Sequence, residues 1–145
     1  MNLLLAAFDN GRMNGWATFS LPNNHDGYHS GEVPEEQFWD YLETLKLPMS
    51  QGTRVIVLGE KFKYRHDQPT DFGAVENIGV LKAWCRLNKV ECKIEMTRAE
   101  TMFFWSDARL KEYKLYRPGK PHANDATRLL LYYIYFVLHL EELRR

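Results

Sequence analysis

Apolar and polar positions along this chain fall into blocks that predict strands and helices in a regular order. Leu3-Leu4-Leu5-Ala6-Ala7-Phe8 is an unbroken apolar run of strand length that ends at Asp9. A run with no polar interruption suits a strand covered on both faces. Asn10, Gly11, Asn14 and Gly15 mark a turn, and Trp16 to Leu21 reads as a second strand. Pro22 through Gly27 is a loop, and Tyr28 to Val33 is a third, shorter strand. Two hairpin connections make these three an antiparallel set. Pro34-Glu35-Glu36 opens a helix, with proline in its first turn, acids at its positive end and one apolar face of Phe38, Trp39, Leu42 and Leu45. Pro48 and Gly52 bound the next loop.

Arg54-Val55-Ile56-Val57-Leu58-Gly59 is the second strongly buried strand, with Glu60 at its carboxyl end. The polar stretch Lys61 to Asp71 leads into a helix from about Phe72 to Asn88, and Val90 to Met96 alternates as a strand. Arg98 to Tyr113 reads as helical. Arg117-Pro118-Gly119-Lys120-Pro121 breaks the chain, and a final helix is expected from about His122 to Leu143. This order predicts an α/β fold with a mixed five-stranded sheet, three antiparallel strands followed by two parallel ones, and helices on both faces. The 145 residues suit one domain spanning 1–145.

Composition narrows the function classes. The formal net charge is zero, which counts against a protein that coats DNA through a broad positive surface. It leaves room for an acidic site offset by basic patches. Aromatic residues reach 14%, and these can fill a core, form an interface or stack on bases. Cys85 and Cys92 match no usual zinc spacing. Met1 to Phe8 lacks the features of a secretory leader, so a reduced, cytoplasmic compartment is expected. The most apolar run, Leu129 to Leu138, falls short of the about 20 residues a membrane helix needs, so a soluble chain is expected.

Asp9 and Glu60 each stand where a buried strand emerges at its carboxyl end, the edge where open α/β sheets bind ligands. If those strands are neighbours the two carboxylates converge, and a cation such as magnesium would let both stay ionised. His122 and Asp125 are three apart and share one face of the last helix. Each residue also has a plainer reading: turn chemistry for Asp9, a solvated strand end for Glu60, helix-start preferences for His122 and Asp125. Their conjunction favours a shared site.

Phe8-Asp9-Asn10-Gly11 with Gly15-Trp16-Ala17, Val57-Leu58-Gly59-Glu60-Lys61-Phe62, Asp71-Phe72-Gly73-Ala74 with Ile78-Gly79, and His122-Ala123-Asn124-Asp125-Ala126 together resemble, in order and spacing, the motifs of RuvC-like Holliday junction resolvases. The compact length resembles the phage-encoded branch. The resemblance implies a ribonuclease H-like fold and an endonuclease that resolves branched DNA by paired nicks, leaving a 5′-phosphate and a 3′-hydroxyl. It further implies two magnesium or manganese ions per site: Asp9 bridging both, Glu60 holding one, Asp125 and His122 completing the other. Family resolvases act as homodimers, whose two-fold symmetry matches a four-way junction. One departure stands out. The glycine-containing, lysine-bearing segment that contacts DNA in bacterial resolvases is replaced here by Met102-Phe103-Phe104-Trp105-Ser106-Asp107-Ala108-Arg109, which leaves the residues that grip DNA open.

Two basic clusters interleaved with aromatics flank the acids. Lys61, Lys63, Tyr64, Arg65 and His66 follow Glu60; Arg109, Lys111, Lys114, Arg117 and Lys120, with Tyr113 and Tyr116, precede His122. They suit phosphate pairing and base stacking, or else a solvated surface. The last helix is apolar nearly all round, which fits a buried core helix or one shared between the sheet and a second subunit. Val75, Ile78, Leu81 and Trp84 would supply more of such a dimer face. Two other readings remain: a ribonuclease H-like nuclease for flaps or RNA–DNA hybrids, and a non-catalytic nucleic-acid-binding module of the same fold.

Overall fold

A computed structural model of the chain describes residues 2–22, 27–62, 72–96 and 98–138, the side chains of 98–100 aside. Strands β1 (Leu3–Asp9), β2 (Met13–Leu21), β3 (Tyr28–Pro34), β4 (Arg54–Glu60) and β5 (Glu91–Met96) form one sheet in the order β3-β2-β1-β4-β5. β1 runs antiparallel to β2, and β2 to β3, whereas β4 runs parallel to both β1 and β5. The expected mixed sheet is therefore present, with β1 at its centre.

Alternation along each strand divides the core between two faces. Leu5, Ala7, Ala17, Phe19, Ile56 and Leu58 face one way and pack on Leu129, Leu130, Tyr133 and Ile134. These last belong to helix α6 (Pro121–Tyr132) and the π-helical turn, Tyr133–Val137, that continues it. Ala6, Phe8, Val55 and Val57 face the other way, onto Phe38 and Leu42 of α1 (Phe38–Thr44) and Leu81 and Trp84 of α3 (Phe72–Leu87). Burial on both faces is why Leu3 to Phe8 of β1 and Val55 to Gly59 of β4 carry no polar residue.

Several local expectations need correction. Trp39 is 41% exposed and leaves the apolar face of α1 to Phe38, Leu42 and Leu45. A short helix, α2 (Lys46–Ser50), occupies what reads as loop. The helical stretch expected over 98–113 is divided into two helices, α4 (Arg98–Phe104) and α5 (Asp107–Glu112). The break falls where Trp105 turns into a small cluster with Leu110 and Leu131, and Ser106 caps α5 by accepting the Arg109 amide at 3.3 Å. Leu81 and Trp84 are fully buried in the chain's own core and do not form part of a dimer face. α6 begins at Pro121, where a proline costs no helical hydrogen bond. Residues 139–143, the expected end of the last helix, lie outside the described residues. No helix among the described residues is long and apolar enough to cross a membrane.

Candidate active site at the carboxyl ends of the central strands

The register of β1 on β4 sets the site. Phe8 pairs with Gly59, so Asp9 and Glu60, one residue further on each strand, leave the sheet side by side. Asp9 continues the face of Leu5 and Ala7, and Glu60 that of Ile56 and Leu58, so both acids lie on the face that α6 covers. The β4–β5 ladder shifts register between Leu58 and Glu60, an irregularity of the kind that re-aims side chains at sheet edges.

α6 brings the other two residues. His122 Nδ1 lies 3.0 Å from Asp9 Oδ2. The approach depends on Gly15, directly opposite Asp9 on β2, because a Cβ there would collide with the His122 carbonyl. Glu32 on β3 is opposite Gly15 in turn, so a row of Glu32, Gly15 and Asp9 crosses three strands under the start of α6. The hydrogen bond that His122 donates to Asp9 holds its pKa above that of an ordinary imidazole; partial burial opposes the rise, and the charges of Asp9, Glu32 and Asp125 add to it.

Asp125 is held differently. Arg128 Nη1 donates to Asp125 Oδ1 at 2.6 Å, its Nε donates to the Trp105 carbonyl at 2.6 Å, and its Nη2 reaches Asp107. The Arg128 side chain is only 4% exposed. Asp125 and Arg128 also line a cleft of about 340 Å³ with Lys120, Asn124, Tyr116 and Met102. Asn124 pins the preceding loop by accepting the Arg117 amide at 2.8 Å and donating to the Arg117 carbonyl at 3.0 Å.

The turn after β1 is braced from α3. Asn77 Nδ2 donates to the carbonyls of Gly11 and Gly73, both at 2.8 Å, and the Gly11 amide donates to Asn14 Oδ1 at 3.2 Å. Within this turn the buried side-chain oxygen of Asn10 has no hydrogen-bond partner among the described residues.

Of the basic residues, Lys61 is exposed beside Glu60, and its amide donates to the Met96 carbonyl at 2.9 Å. Lys111 lies over the Tyr116 ring at 4.7 Å, and Arg109 over Phe104 at 4.4 Å. Arg117 Nε donates to Ser30 Oγ at 2.9 Å, tying its side chain to β3. Lys114 and Lys120 are exposed. Lys63, Tyr64, Arg65 and His66 lie outside the described residues.

The structure thus brings Asp9, His122 and Glu60 to one edge and sets Asp125 nearby on Arg128. Among the described residues, no three His, Cys, Asp or Glu side chains stand together as a ready-made metal group. The donors nonetheless suit a hard cation in kind: carboxylates on adjacent strand ends, and the amide oxygen of Asn10 beside Asp9, which has no partner among the described residues. Arg128, Asp107, Glu32 and Gly15 were not singled out as site residues from the sequence. The spacing of Asp125 and Arg128, three apart on a helix, is the signal for the first of these.

Strand order, mixed direction and helices on both faces define a ribonuclease H-like fold. The chain is similar to the structure of T. thermophilus RuvC in complex with a Holliday junction substrate, with a TM-score of 0.66 and 10% identity over 94% of this chain and 96% of that one. It is also similar to a Thermus thermophilus RuvC structure, with a TM-score of 0.61 and 14% identity over 94% and 96% of the two chains. No protein-family model and no curated protein sequence matches it.

Proposed function

We propose that this protein is a divalent-cation-dependent endonuclease that nicks branched DNA, four-way junctions above all. The observation that carries this reading is the pairing of Asp9 and Glu60 at the ends of adjacent parallel strands, on the face from which α6 presents His122 and Asp125. The likeness to a RuvC structure holding a Holliday junction supports the substrate class.

In this reading Asp9, Glu60, Asp125 and His122 hold two magnesium or manganese ions. Ions held there would lower the pKa of a water and offset charge on the phosphate oxygens. The chain's own residues do the rest. Asp9 orients the imidazole through Nδ1, which leaves Nε2 for ligation or proton exchange. Asn77 keeps the β1–β2 turn, and so Asp9, in place. Lys61, Lys111, Lys114, Arg117 and Lys120 contact phosphates, as do Lys63 and Arg65, with Tyr64 stacking on an unpaired base. Two copies act as a homodimer, each making one nick.

The test is cleavage of a four-way junction beside a linear duplex and an RNA–DNA hybrid of matched sequence, with Mg²⁺ or Mn²⁺. Junction cleavage well above both controls is expected. Cleavage confined to the hybrid would move the substrate class to RNA–DNA hybrids, and cleavage of none would remove the catalytic reading.

A further inference from the structure

Arg128 is a buried cation shared by two carboxylates from different parts of the chain. Its three donor groups are fixed at once: Nε on the Trp105 carbonyl, Nη1 on Asp125 and Nη2 on Asp107. A buried guanidinium must be paired, and one carboxylate would suffice. Here there are two, one on α6 at the candidate site and one in the first turn of α5. Asp107 is 60% exposed, whereas Asp125 is 15% exposed. The trio of one arginine and two aspartates carries a net negative charge. If Asp107 were neutral, the guanidinium would belong wholly to Asp125 and cancel its charge.

We infer that Asp107 is a positioning residue that, by sharing Arg128, leaves Asp125 enough negative charge to serve a divalent cation while its carboxylate stays fixed in direction. The inference rests on the metal-dependent reading above.

The experiment is calorimetric titration of the full chain with Mn²⁺ alone, comparing wild type, Asp107→Asn and Asp107→Glu. Asp107→Asn keeps the side chain's shape and removes its charge; it is expected to weaken Mn²⁺ binding on the order of 10-fold, as loss of an outer partner of a ligand does. Asp107→Glu restores the charge and is expected to bind Mn²⁺ close to wild type. Junction turnover by Asp107→Asn should recover at excess Mn²⁺, with KM for DNA unchanged. A merely structural role would lower Tm and leave the Mn²⁺ midpoint at its wild-type value, and that result overturns the inference. Wild type that binds no Mn²⁺ overturns the metal-dependent reading, and this one with it.

Discussion

His122 and Asp9 are 113 residues apart in sequence and 3.0 Å apart in space, joined by a hydrogen bond between the imidazole Nδ1 and a carboxylate oxygen. That contact closes the start of α6 onto the end of β1. It makes one residue pair answer for both the packing of the last helix and the chemistry of the sheet edge.

The pair gives stability a pH dependence of definite sign. The folded-state pKa of His122 is raised, chiefly by Asp9, so the contribution is fully present below the imidazole's unfolded value of about 6.5 and is lost as pH rises through the folded value. In chelator, thermal melts of wild type and His122→Asn should differ more at pH 6 than at pH 9. A difference that grows toward alkaline pH would contradict this.

Gly15 tests the closeness of α6 to β2. A methyl group at this position meets the His122 carbonyl, which is backbone and cannot swing aside. Gly15→Ala should cost about 1–3 kcal/mol of stability by urea denaturation, as overpacking does. It should also flatten the pH dependence just described, because the helix start is pushed off Asp9.

Asn77 offers a test that touches no candidate ligand. Its amide serves the carbonyls of Gly11 and Gly73 from a buried position. Asn77→Ala leaves the Gly11 carbonyl without this donor, at a cost of about 1–3 kcal/mol. Nuclease turnover should fall with the loosened β1–β2 turn while junction affinity holds.

Lys61 and Lys120 flank the site from two sides, both exposed. If each pairs with a phosphate, changing both to alanine should weaken junction binding whatever the sequence and reduce the slope of log K against log salt by about 1.8. An unchanged slope would show that these lysines are solvent-facing only.

How far the site is legible in the sequence follows from the kind of burial involved. Asp9 and Glu60 stand out because β1 and β4 are covered on both faces, so their apolar runs end abruptly at the first polar residue. The start of α6 is marked by its Pro-Gly-Lys-Pro loop. Arg128 is hidden because it sits in an apolar stretch that reads as helix interior, and its partners Trp105 and Asp107 flank a helix break at Ser106 that the local pattern does not reveal. Gly15 reads as turn chemistry, but its reason is a contact with a helix more than 100 residues on. Leu81 and Trp84 have the same apolar character whether they meet a core or a partner, so periodicity alone cannot assign them.

The most direct test of the central claim is the initial rate of Mg²⁺-dependent nicking of a four-way junction by wild type and by Asp9→Asn, with circular dichroism confirming that both are folded. Wild type is expected to nick in a cation-dependent way and Asp9→Asn to lose at least about 100-fold in rate, the scale expected when a site's electrostatic stabilisation fails. Nicking by Asp9→Asn at the wild-type rate would contradict that claim.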